Sequence, residues 1–331
     1  MNWGILSTGG IAQKFARALP ASHSGRAVAV GSRRLESAQA FSREFGIHKA
    51  YGHYGDLLRD PNVEAVYIAT PHPFHLEWTL EAARAKKHIL CEKPMGMNLA
   101  EVERMVAAAQ DNGVVLMEAF MYRCHPQTTK LLELIREGVI GEIRMIRASF
   151  CFDRDLGLQH RLFNKSLGGG AILDLGCYPA SISRLLAGVA RGQAFAVPLE
   201  VKGVIHRGAE SGVDEWASAV LKFPGDILAE LSCAVRLDRE PGFVRIYGSK
   251  GQITVPSPWH ASQEAGDSKI LIQPQGQDWH REAVVTGHKN IYAYEADAFA
   301  ESVKKGKVEP PFMTPEDSLG NARLLDLWLN S

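Results

Sequence analysis

Residues 4–12 read GILSTGGIA, a short apolar strand followed by a glycine-containing turn and the start of a helix. The helical pattern continues over Ile11–Leu19 and is stopped by Pro20. Backbone N–H groups at such a helix start can hold a pyrophosphate, and Gly9 lets the backbone approach it. The turn therefore predicts a dinucleotide site, although Ser7 stands where the usual fingerprint has its first glycine; an ordinary glycine turn is the alternative. The predicted pyrophosphate-binding residues are Ser7, Thr8, Gly9, Gly10 and Ile11.

Strand and helix patterns alternate through the first third of the chain. The predicted strands after the first are Arg26–Val30, Val63–Ala69, His88–Cys91 and Val114–Ala119, and the helices between them are Leu35–Phe45, Leu76–Ala85 and Leu99–Asp111. This alternation implies parallel βαβ units whose sheet is covered on both faces.

The pattern changes after a helix at about residues 127–137. Neighbouring strands joined by short turns are predicted over Glu142–Phe152, Leu199–His206, Glu215–Phe223, Ile227–Val235 and Val244–Tyr247, and helices over Ile291–Lys304 and Pro315–Leu329 close the chain. Runs of adjacent strands imply an antiparallel sheet, hence a second domain of another type. We predict an α/β protein with a Rossmann domain over 1–122 and a second α/β domain over 123–331.

Composition limits the function classes. The 331 residues carry 37 basic and 37 acidic side chains, which gives no electrostatic case for a nucleic-acid partner or an anionic membrane. The five cysteines contain no CxxC pair, so we expect neither a disulfide framework nor a metal site. A reducing, cytoplasmic setting is the simplest expectation, since neither a signal peptide nor an apolar run of about 18 residues is seen.

The end of the second strand discriminates between cofactors. An NAD enzyme places Asp or Glu there to bind the ribose 2′-hydroxyl, but this strand ends Gly31-Ser32-Arg33-Arg34. Two arginines can neutralise a 2′-phosphate, and the small Ser32 leaves room for it. The alternative is a solvated basic turn. We predict that NADP(H) is preferred, with NAD(H) as the alternative cofactor.

Two further strands end in polar residues at the same sheet edge. The third strand runs into Thr70, Pro71, His72 and His75, and the stretch HILCEKPMG over 88–96 ends its strand with Glu92, Lys93 and Pro94. Ligands of parallel open sheets bind beyond the carboxyl ends of the strands, so both loops are candidate cofactor-binding or catalytic segments. A purely structural role for the histidines is the alternative.

One motif lies in the second half of the chain: GGGAILDLGCYP over 168–179. Asp174 and Tyr178 are four residues apart and share a face if this stretch is helical. A helix cap and a packing tyrosine are the alternative interpretations, and spacing does not decide between them.

Together, GILSTGGIA, CEKPMGMN and GGGAILDLGCYP resemble the glucose–fructose oxidoreductase/inositol dehydrogenase (Gfo/Idh/MocA) family over nearly the whole chain. Tyr178, where many members carry His, resembles the branch of dimeric dihydrodiol dehydrogenase and NADP-dependent xylose dehydrogenase. The resemblance implies a large open, mainly antiparallel sheet in the second domain and a homodimer, or a dimer of dimers, formed through it. It also implies that Arg33 faces a 2′-phosphate.

The resemblance assigns the catalytic residues as Lys93, Tyr178 and Asp174. We expect hydride transfer between nicotinamide and a carbon bearing oxygen, with Tyr178 as acid/base, its pKa lowered by the Lys93 ammonium. Lys93 would also stabilise negative charge on the oxygen, and Asp174 would orient Lys93 or bind substrate. Lys93 itself as the proton carrier is the alternative. The predicted substrate-binding residues are Lys93, Tyr122, Arg123, Phe152, Asp174 and Tyr178.

The sequence thus predicts an NADP-dependent dehydrogenase of a small-molecule sugar (an aldose or pyranose) or a trans-dihydrodiol. An NADPH-dependent reductase of a ketosugar or another carbonyl is the alternative of the same class. A non-catalytic NADP(H)-binding sensor and a cofactor-recycling glycosidase are the alternatives of other classes.

Overall fold

A computed structural model describes residues 1–153, 156–237, 242–261 and 263–331. The chain divides into two compact units, one formed by residues 1–124 with 289–319 and the other by 125–288 with 320–331. The segment 289–319 thus has its contacts in the first unit, and the two-domain division at residue 122 stays a prediction.

The bounds of the regular elements are as follows. The strands are β1 Asn2–Leu6, β2 Arg26–Gly31, β3 Lys49–Tyr51, β4 Ala65–Ile68, β5 His88–Glu92, β6 Leu116–Ala119, β7 Ile143–Cys151, β8 Glu200–Arg207, β9 Asp214–Phe223, β10 Ile227–Ala234, β11 Phe243–Gly248, β12 Gly251–Val255, β13 Gly266–Pro274 and β14 Arg281–Gly287. The α-helices are α1 Gly10–Ala18, α2 Leu35–Phe45, α3 Tyr54–Arg59, α4 His75–Arg84, α5 Leu99–Asn112, α6 Met121–Cys124, α7 Pro126–Arg136, α8 Cys177–Val189, α9 Ile291–Lys305 and α10 Pro315–Leu329.

The first unit is built on a six-stranded parallel sheet with the order β3-β2-β1-β4-β5-β6. From β1 the chain adds β2 and β3 on one side of the sheet. It then crosses to the other side of β1, where β4, β5 and β6 follow, so the strand order reverses at β1. The carboxyl ends of β1 and β4 therefore flank the crevice where open α/β sheets bind ligands.

Apolar side chains bury the central strands of this sheet. All four residues of β4 are buried, and Phe15 of α1 packs against Trp3 at 5.2 Å and Tyr67 at 3.9 Å between ring centroids. Each such ring stabilises the fold by about 1.5–3 kcal/mol through burial. The helix ends follow local chemistry, since Asn98 caps α5 by accepting the Glu101 N–H at 3.0 Å and Gly113 ends it at φ +67°.

The second unit contains an eight-stranded sheet with the order β14-β13-β12-β11-β7-β10-β9-β8. All pairs are antiparallel except β7 with β10, which run parallel. One face is covered by α8, all of whose residues are buried. The predicted fold class, a parallel Rossmann sheet plus a large and mainly antiparallel sheet, is confirmed.

Candidate active site

The glycine turn opens α1 without a side-chain cap. Gly9 is the N-terminal cap residue, its own N–H donates to the Ser7 hydroxyl at 3.1 Å, and both Gly9 and Gly10 are exposed. A Cβ added at Gly10 would meet no atom within 4 Å, and one at Gly9 would meet only Ser7 Oγ at 3.4 Å. The first N–H groups of the helix are thus open to an anion, as a pyrophosphate requires.

Ser7 has φ +132°, a conformation that side chains rarely adopt and that glycine adopts freely. Its N–H donates to the Gly31 carbonyl at 3.1 Å, which ties the turn to the end of β2. A serine therefore stands where the fingerprint has its first glycine and adopts a glycine-like conformation. Its hydroxyl accepts the Gly9 N–H within the same turn.

The arginine pair follows β2 as the sequence predicts. Ser32 is buried, whereas Arg33 and Arg34 are exposed, and within the described residues neither guanidinium forms an ion pair. Glu36 lies one turn away in the first turn of α2. The turn therefore offers two free positive charges at the end of β2, where the ribose of a dinucleotide lies in this fold class.

The loop after β4 is tied to the Lys93 loop by His75. This side chain is fully buried, with Nε2 2.8 Å from the Thr70 carbonyl oxygen and Nδ1 3.0 Å from the Pro94 carbonyl oxygen. Burial lowers the pKa of His75, although both carbonyls favour its charged form. Pro71 precedes a short 3₁₀ turn, and the His72 ring lies edge-on to His75 at 5.7 Å. Cofactor binding by His72 and His75 stays a prediction.

The Thr70 hydroxyl is a second feature that fits a bound dinucleotide. It is buried at the carboxyl end of β4 and has no hydrogen-bond partner among the described residues. An orphaned hydroxyl at this edge, together with the open turn at Gly9, fits a nicotinamide dinucleotide.

Glu92 and Lys93 end β5 at the same edge. The Tyr67 hydroxyl donates to Glu92 Oε1, and Glu92 Oε2 accepts the Lys93 N–H at 3.2 Å. Lys93 is half-buried, and the Lys93–Pro94 peptide is cis. Glu92 therefore orients the backbone of the loop that presents Lys93.

A second carboxylate, Glu118 on β6, lies behind this loop. It is almost fully buried and accepts the Met95 N–H at 2.9 Å through Oε1. Burial raises the pKa of Glu118 to about 7, against the opposing effects of the Ser318 side chain and the Met95 N–H.

Tyr122 and Arg123, predicted to line the substrate site, lie inside the first unit. The Arg123 guanidinium pairs with Asp317 at 3.3 Å and donates to the Pro311 carbonyl at 3.0 Å and to the Tyr122 hydroxyl at 2.9 Å. Both side chains are about 1% exposed. Their contact with substrate stays a prediction.

In the second unit, Asp174 sits in a π-helical segment, Ile172–Gly176, that leads into α8. Its Oδ1 accepts two hydrogen bonds from Arg161, from Nη1 and Nη2, each at 3.1 Å. The π turn changes the angular spacing, so Asp174 and Tyr178 do not have the simple four-residue relation of an α-helix. Such π insertions are frequent at functional sites.

Tyr178 is almost fully buried among aromatic rings. Its ring lies 5.2 Å from Phe150 and 5.5 Å from Trp259, and the Trp259 indole donates to the Ser149 carbonyl at 2.9 Å. The predicted Phe152 is half-buried, edge-on to Phe150 at 6.4 Å. These rings fix the direction of the Tyr178 side chain.

Sequence reasoning missed four residues of these surroundings: Glu118, Phe150, Arg161 and Trp259. Glu118 had a visible signal, since a carboxylate inside the apolar strand LMEA is costly unless it is paired. Phe150 lies in a predicted strand next to Phe152. Arg161 begins a short 3₁₀ helix and Trp259 lies outside the regular elements, and nothing in their sequence neighbourhood indicates their partners.

The comparisons with known proteins decide the family. The model of the GFO_IDH_MocA oxidoreductase family with an NAD-binding Rossmann fold matches residues 1–120, and that of the GFO/IDH/MocA C-terminal domain matches 128–254. This chain belongs to the Gfo/Idh/MocA family. It is an oxidoreductase with an NAD(P)-binding Rossmann domain, and the predicted family resemblance and enzyme class are confirmed.

Two curated relatives and one solved structure place the chain within the Gfo/Idh/MocA family. It is 36% identical to trans-1,2-dihydrobenzene-1,2-diol dehydrogenase of Mus musculus, with 98% of this chain and 95% of the relative covered. Identity to the Danio rerio enzyme of that name is 37%, with the same coverage. A crystal structure of a 3-ketoreductase from Actinomadura kijaniata, in complex with NADP and TDP-benzene, matches at 29% identity and TM-score 0.87, over 100% of this chain and 97% of that chain.

The described residues contain no group of three or more His, Cys, Asp or Glu side chains that could hold a metal ion. None of the helices described is both long and apolar enough for a transmembrane span.

Proposed function

We propose that this protein is an NADP-dependent dehydrogenase that oxidises a carbinol of a trans-dihydrodiol or a pyranose sugar. The observation that carries the proposal is Lys93, placed by the end of β5 at the sheet edge where the glycine turn lies open. Full-length relatives named as dihydrodiol dehydrogenases support the substrate class.

The nicotinamide cofactor, when bound, accepts or donates the hydride. The residues that would hold it are the open turn of Ser7–Ile11, Ser32 with Arg33 and Arg34, and the loop from Thr70. Lys93 stabilises negative charge on the reacting oxygen with its ammonium group. Tyr178 takes the hydroxyl proton in oxidation and returns it in reduction, and Asp174 hydrogen-bonds the substrate or orients Lys93. Lys93 as proton carrier is the competing assignment.

The first experiment follows nicotinamide absorbance with NADP⁺, and separately NAD⁺, against trans-dihydrodiols, aldoses and inositols. We expect turnover with NADP⁺ on at least one dihydrodiol or pyranose, and its loss in Lys93→Met, an unbranched variant without charge. Glu103→Gln, on the exposed face of α5, is the folding control because it leaves these groups unchanged. Absence of turnover in both directions, with intact NADPH binding, would contradict the proposal and support a sensor.

Preference for NADP(H) is part of the proposal and rests on Arg33 and Arg34. Their guanidinium groups are exposed and form no ion pair with any residue that the structure describes, which suits a 2′-phosphate, and the solved 3-ketoreductase contains NADP. Arg33→Ala is expected to raise the KM for NADP⁺ by about 10- to 100-fold with little effect on NAD⁺. Arg43→Ala, an exposed arginine at the other end of α2, is the matched control. An equal effect of Arg33→Ala on both cofactors would contradict this assignment.

Reduction of a ketosugar with NADPH is the second candidate, favoured by the structural match to a 3-ketoreductase. The same groups would act in reverse, with Tyr178 donating the proton to the carbonyl oxygen. The same panel tests this direction when it is repeated with NADPH and keto compounds.

A homodimer through the sheet of the second unit is also proposed. Its outer face exposes apolar side chains on β8, β9 and β10, among them Val204 at 78%, Val220 at 51% and Leu228 at 42%. An exposed apolar face of this kind is typical of an interface. Val220→Asp is expected to shift the sedimenting species from dimer to monomer, and a monomeric wild-type protein would contradict the proposal. The five cysteines, four of them buried, form no disulfide in the described part of the chain, which supports the cytoplasmic location that we propose.

A further inference from the structure

Glu118 is a buried carboxylate that the proposed reaction does not use. It stands on β6 opposite Cys91 of β5, next to the point where β5 gives way to the loop of Glu92, Lys93 and Pro94. Its Oε1 accepts the Met95 N–H at 2.9 Å, two residues beyond Lys93. Glu118 is therefore joined to the candidate catalytic loop through the backbone of that loop.

The other oxygen of Glu118 is left without a partner. Oε2 is buried and makes no hydrogen bond among the described residues, although the Ser318 side chain faces the carboxyl group. Both oxygens of a buried carboxylate normally accept hydrogen bonds. A buried carboxylate with one oxygen that accepts none is costly to keep charged. Oε2 is thus the natural position for a proton.

The neighbouring charges do not remove this cost. Arg123 of α6 attracts the carboxylate, but its guanidinium pairs with Asp317 of α10, whose negative charge acts against Glu118. The thiol of Cys91 on β5 is kept neutral, because burial raises its pKa well above the usual range. Among the described residues, Glu118 therefore faces one cation, one anion, a hydroxyl and a thiol, and it accepts one hydrogen bond of normal geometry, from the Met95 N–H.

We propose that Glu118 is a positioning residue that fixes the Lys93 loop through the Met95 N–H, and that a proton on Oε2 loosens this hold. A charged acceptor binds an N–H about twice as strongly as a neutral one. The loop is thus held firmly when Glu118 is a carboxylate and weakly when it is a neutral acid. The consequence for catalysis rests on the proposed function, in which Lys93 stabilises the reacting oxygen.

A merely structural carboxylate predicts something different. If Glu118 only filled its site, its neutral amide isostere would lower stability without changing how the loop responds to pH. A positioning role requires that the hold on Met95 follows the protonation of Glu118 near neutral pH, where burial places its pKa.

The first measurement is hydrogen exchange at the Met95 amide, corrected for the intrinsic pH dependence of exchange. In the wild-type protein we expect the protection of this amide to fall about tenfold from pH 8.5 to pH 5.5, which covers about 1.5 units on either side of the pKa. Glu118→Gln is expected to give a low protection that does not change with pH. The experiment needs no substrate, so it is independent of the proposed function.

Glu101→Gln is the matched control, because Glu101 Oε2 accepts the Met97 N–H at 2.9 Å on the same loop. This variant is expected to keep the wild-type response at Met95. Protection that is independent of pH in the wild-type protein, or a Glu118→Gln response equal to that of the wild type, would overturn the proposal. If Glu118→Gln does not fold, the wild-type and Glu101→Gln responses still decide it.

The second measurement is kcat as a function of pH with whichever substrate the panel identifies. We expect Glu118→Gln to lower kcat by about three- to tenfold at pH 8 and to remove the step in kcat near pH 7, with the KM for NADP⁺ unchanged. If Glu118→Gln changed the KM for NADP⁺ and left kcat unaffected, the positioning role would be overturned. Lack of turnover in every variant, with the expected exchange result, would refute the proposed function and leave the role of Glu118 in the loop supported.

Discussion

Glu118 in the first unit and Asp174 in the second are both buried carboxylates, at 3% and 5% exposure, but they are held by different partners. Asp174 receives two hydrogen bonds from the guanidinium of Arg161, whereas Glu118 receives one from the backbone N–H of Met95. The guanidinium that lies near Glu118, that of Arg123, pairs with Asp317.

A buried carboxylate behaves differently with a guanidinium partner and with a single amide partner. A fork of N–H groups from a guanidinium neutralises the charge and fixes the side chain at once. A single amide fixes the geometry but leaves the cost of burial, so the carboxyl group takes up a proton near neutral pH. The first arrangement suits a residue that must remain an acceptor, and the second suits a residue whose hold on a loop responds to pH.

The largest effect expected is on the reaction itself, in Tyr178→Phe. Loss of the hydroxyl removes the proposed acid/base, and kcat should fall by about 10²- to 10⁴-fold. Binding of NADPH should be unchanged, since Tyr178 belongs to the second unit and is packed by Phe150 and Trp259. Tyr51→Phe, on β3 of the first unit, is the control. Near-normal turnover of Tyr178→Phe would assign the proton to Lys93.

The second effect is on stability and tests the cost of burial at Glu118. Its pKa is raised from 4.5 to about 7 in the folded protein, so between these values the folded state binds more protons than the unfolded state. The free energy of unfolding should therefore fall, as pH rises from 4.5 to 7, by on the order of 3 kcal/mol more in the wild type than in Glu118→Gln.

Denaturant unfolding of both proteins across this pH range measures the difference. Because all other titrating groups are shared, subtracting the two curves isolates Glu118. A difference that does not change with pH would mean that Glu118 stays charged at all these pH values, and the comparison with Asp174 would then fail.

The third effect concerns the backbone that carries Asp174. Gly170 precedes the π segment with φ +120°, and a Cβ there would lie 2.1 Å from Asp214 Oδ1. The other oxygen of Asp214 accepts the Ile172 N–H at 2.6 Å, so this carboxylate cannot move freely. Gly192 has φ +71° and no atom within 4 Å of an added Cβ, which makes Gly192→Ala a control for strain alone.

Gly170→Ala should therefore lower the free energy of unfolding by about 2 kcal/mol more than Gly192→Ala. Chemical denaturation of the two variants checks the difference. Equal losses of unfolding free energy would show that Asp214 can be displaced at little cost. The hydrogen bond from Ile172 to Asp214 would then contribute little to the stability of the π segment.

The sequence predicted the parts of the fold that depend on local signals. The glycine turn, the Asn98 cap and the strand that delivers Lys93 are formed by neighbouring residues, and each appears where the pattern placed it. The short strand β3 and helix α3 were missed, since three to six residues give too little periodicity to be distinguished from a loop. The strands β12–β14 were missed too, although their alternating burial is clear once the sheet is known.

Around the candidate site, the sequence identified single residues but not their partners. Asp174 and Tyr178 could be singled out from the motif, whereas the π turn between them arises from tertiary packing that no local pattern encodes. The ion pair of Arg161 with Asp174 joins residues 13 apart across an irregular segment. The effect of this ion pair on the reaction therefore has to be measured directly.

The smallest effect expected is that of Arg161 on the reaction. The side chain of Arg161 is 40% exposed and the side chain of Asp174, taken without its backbone, is 7% exposed, so solvent screens part of the interaction. Arg161→Ala should lower kcat about tenfold, because Asp174 then loses the two hydrogen bonds that it accepts from Arg161. Arg161→Lys keeps the charge but loses the fork, and about a threefold loss is expected. If the lysine variant is as impaired as the alanine variant, geometry and not charge holds Asp174. If neither variant is impaired, the direction of Asp174 does not depend on Arg161, and the contrast with Glu118, which the Met95 amide holds, fails.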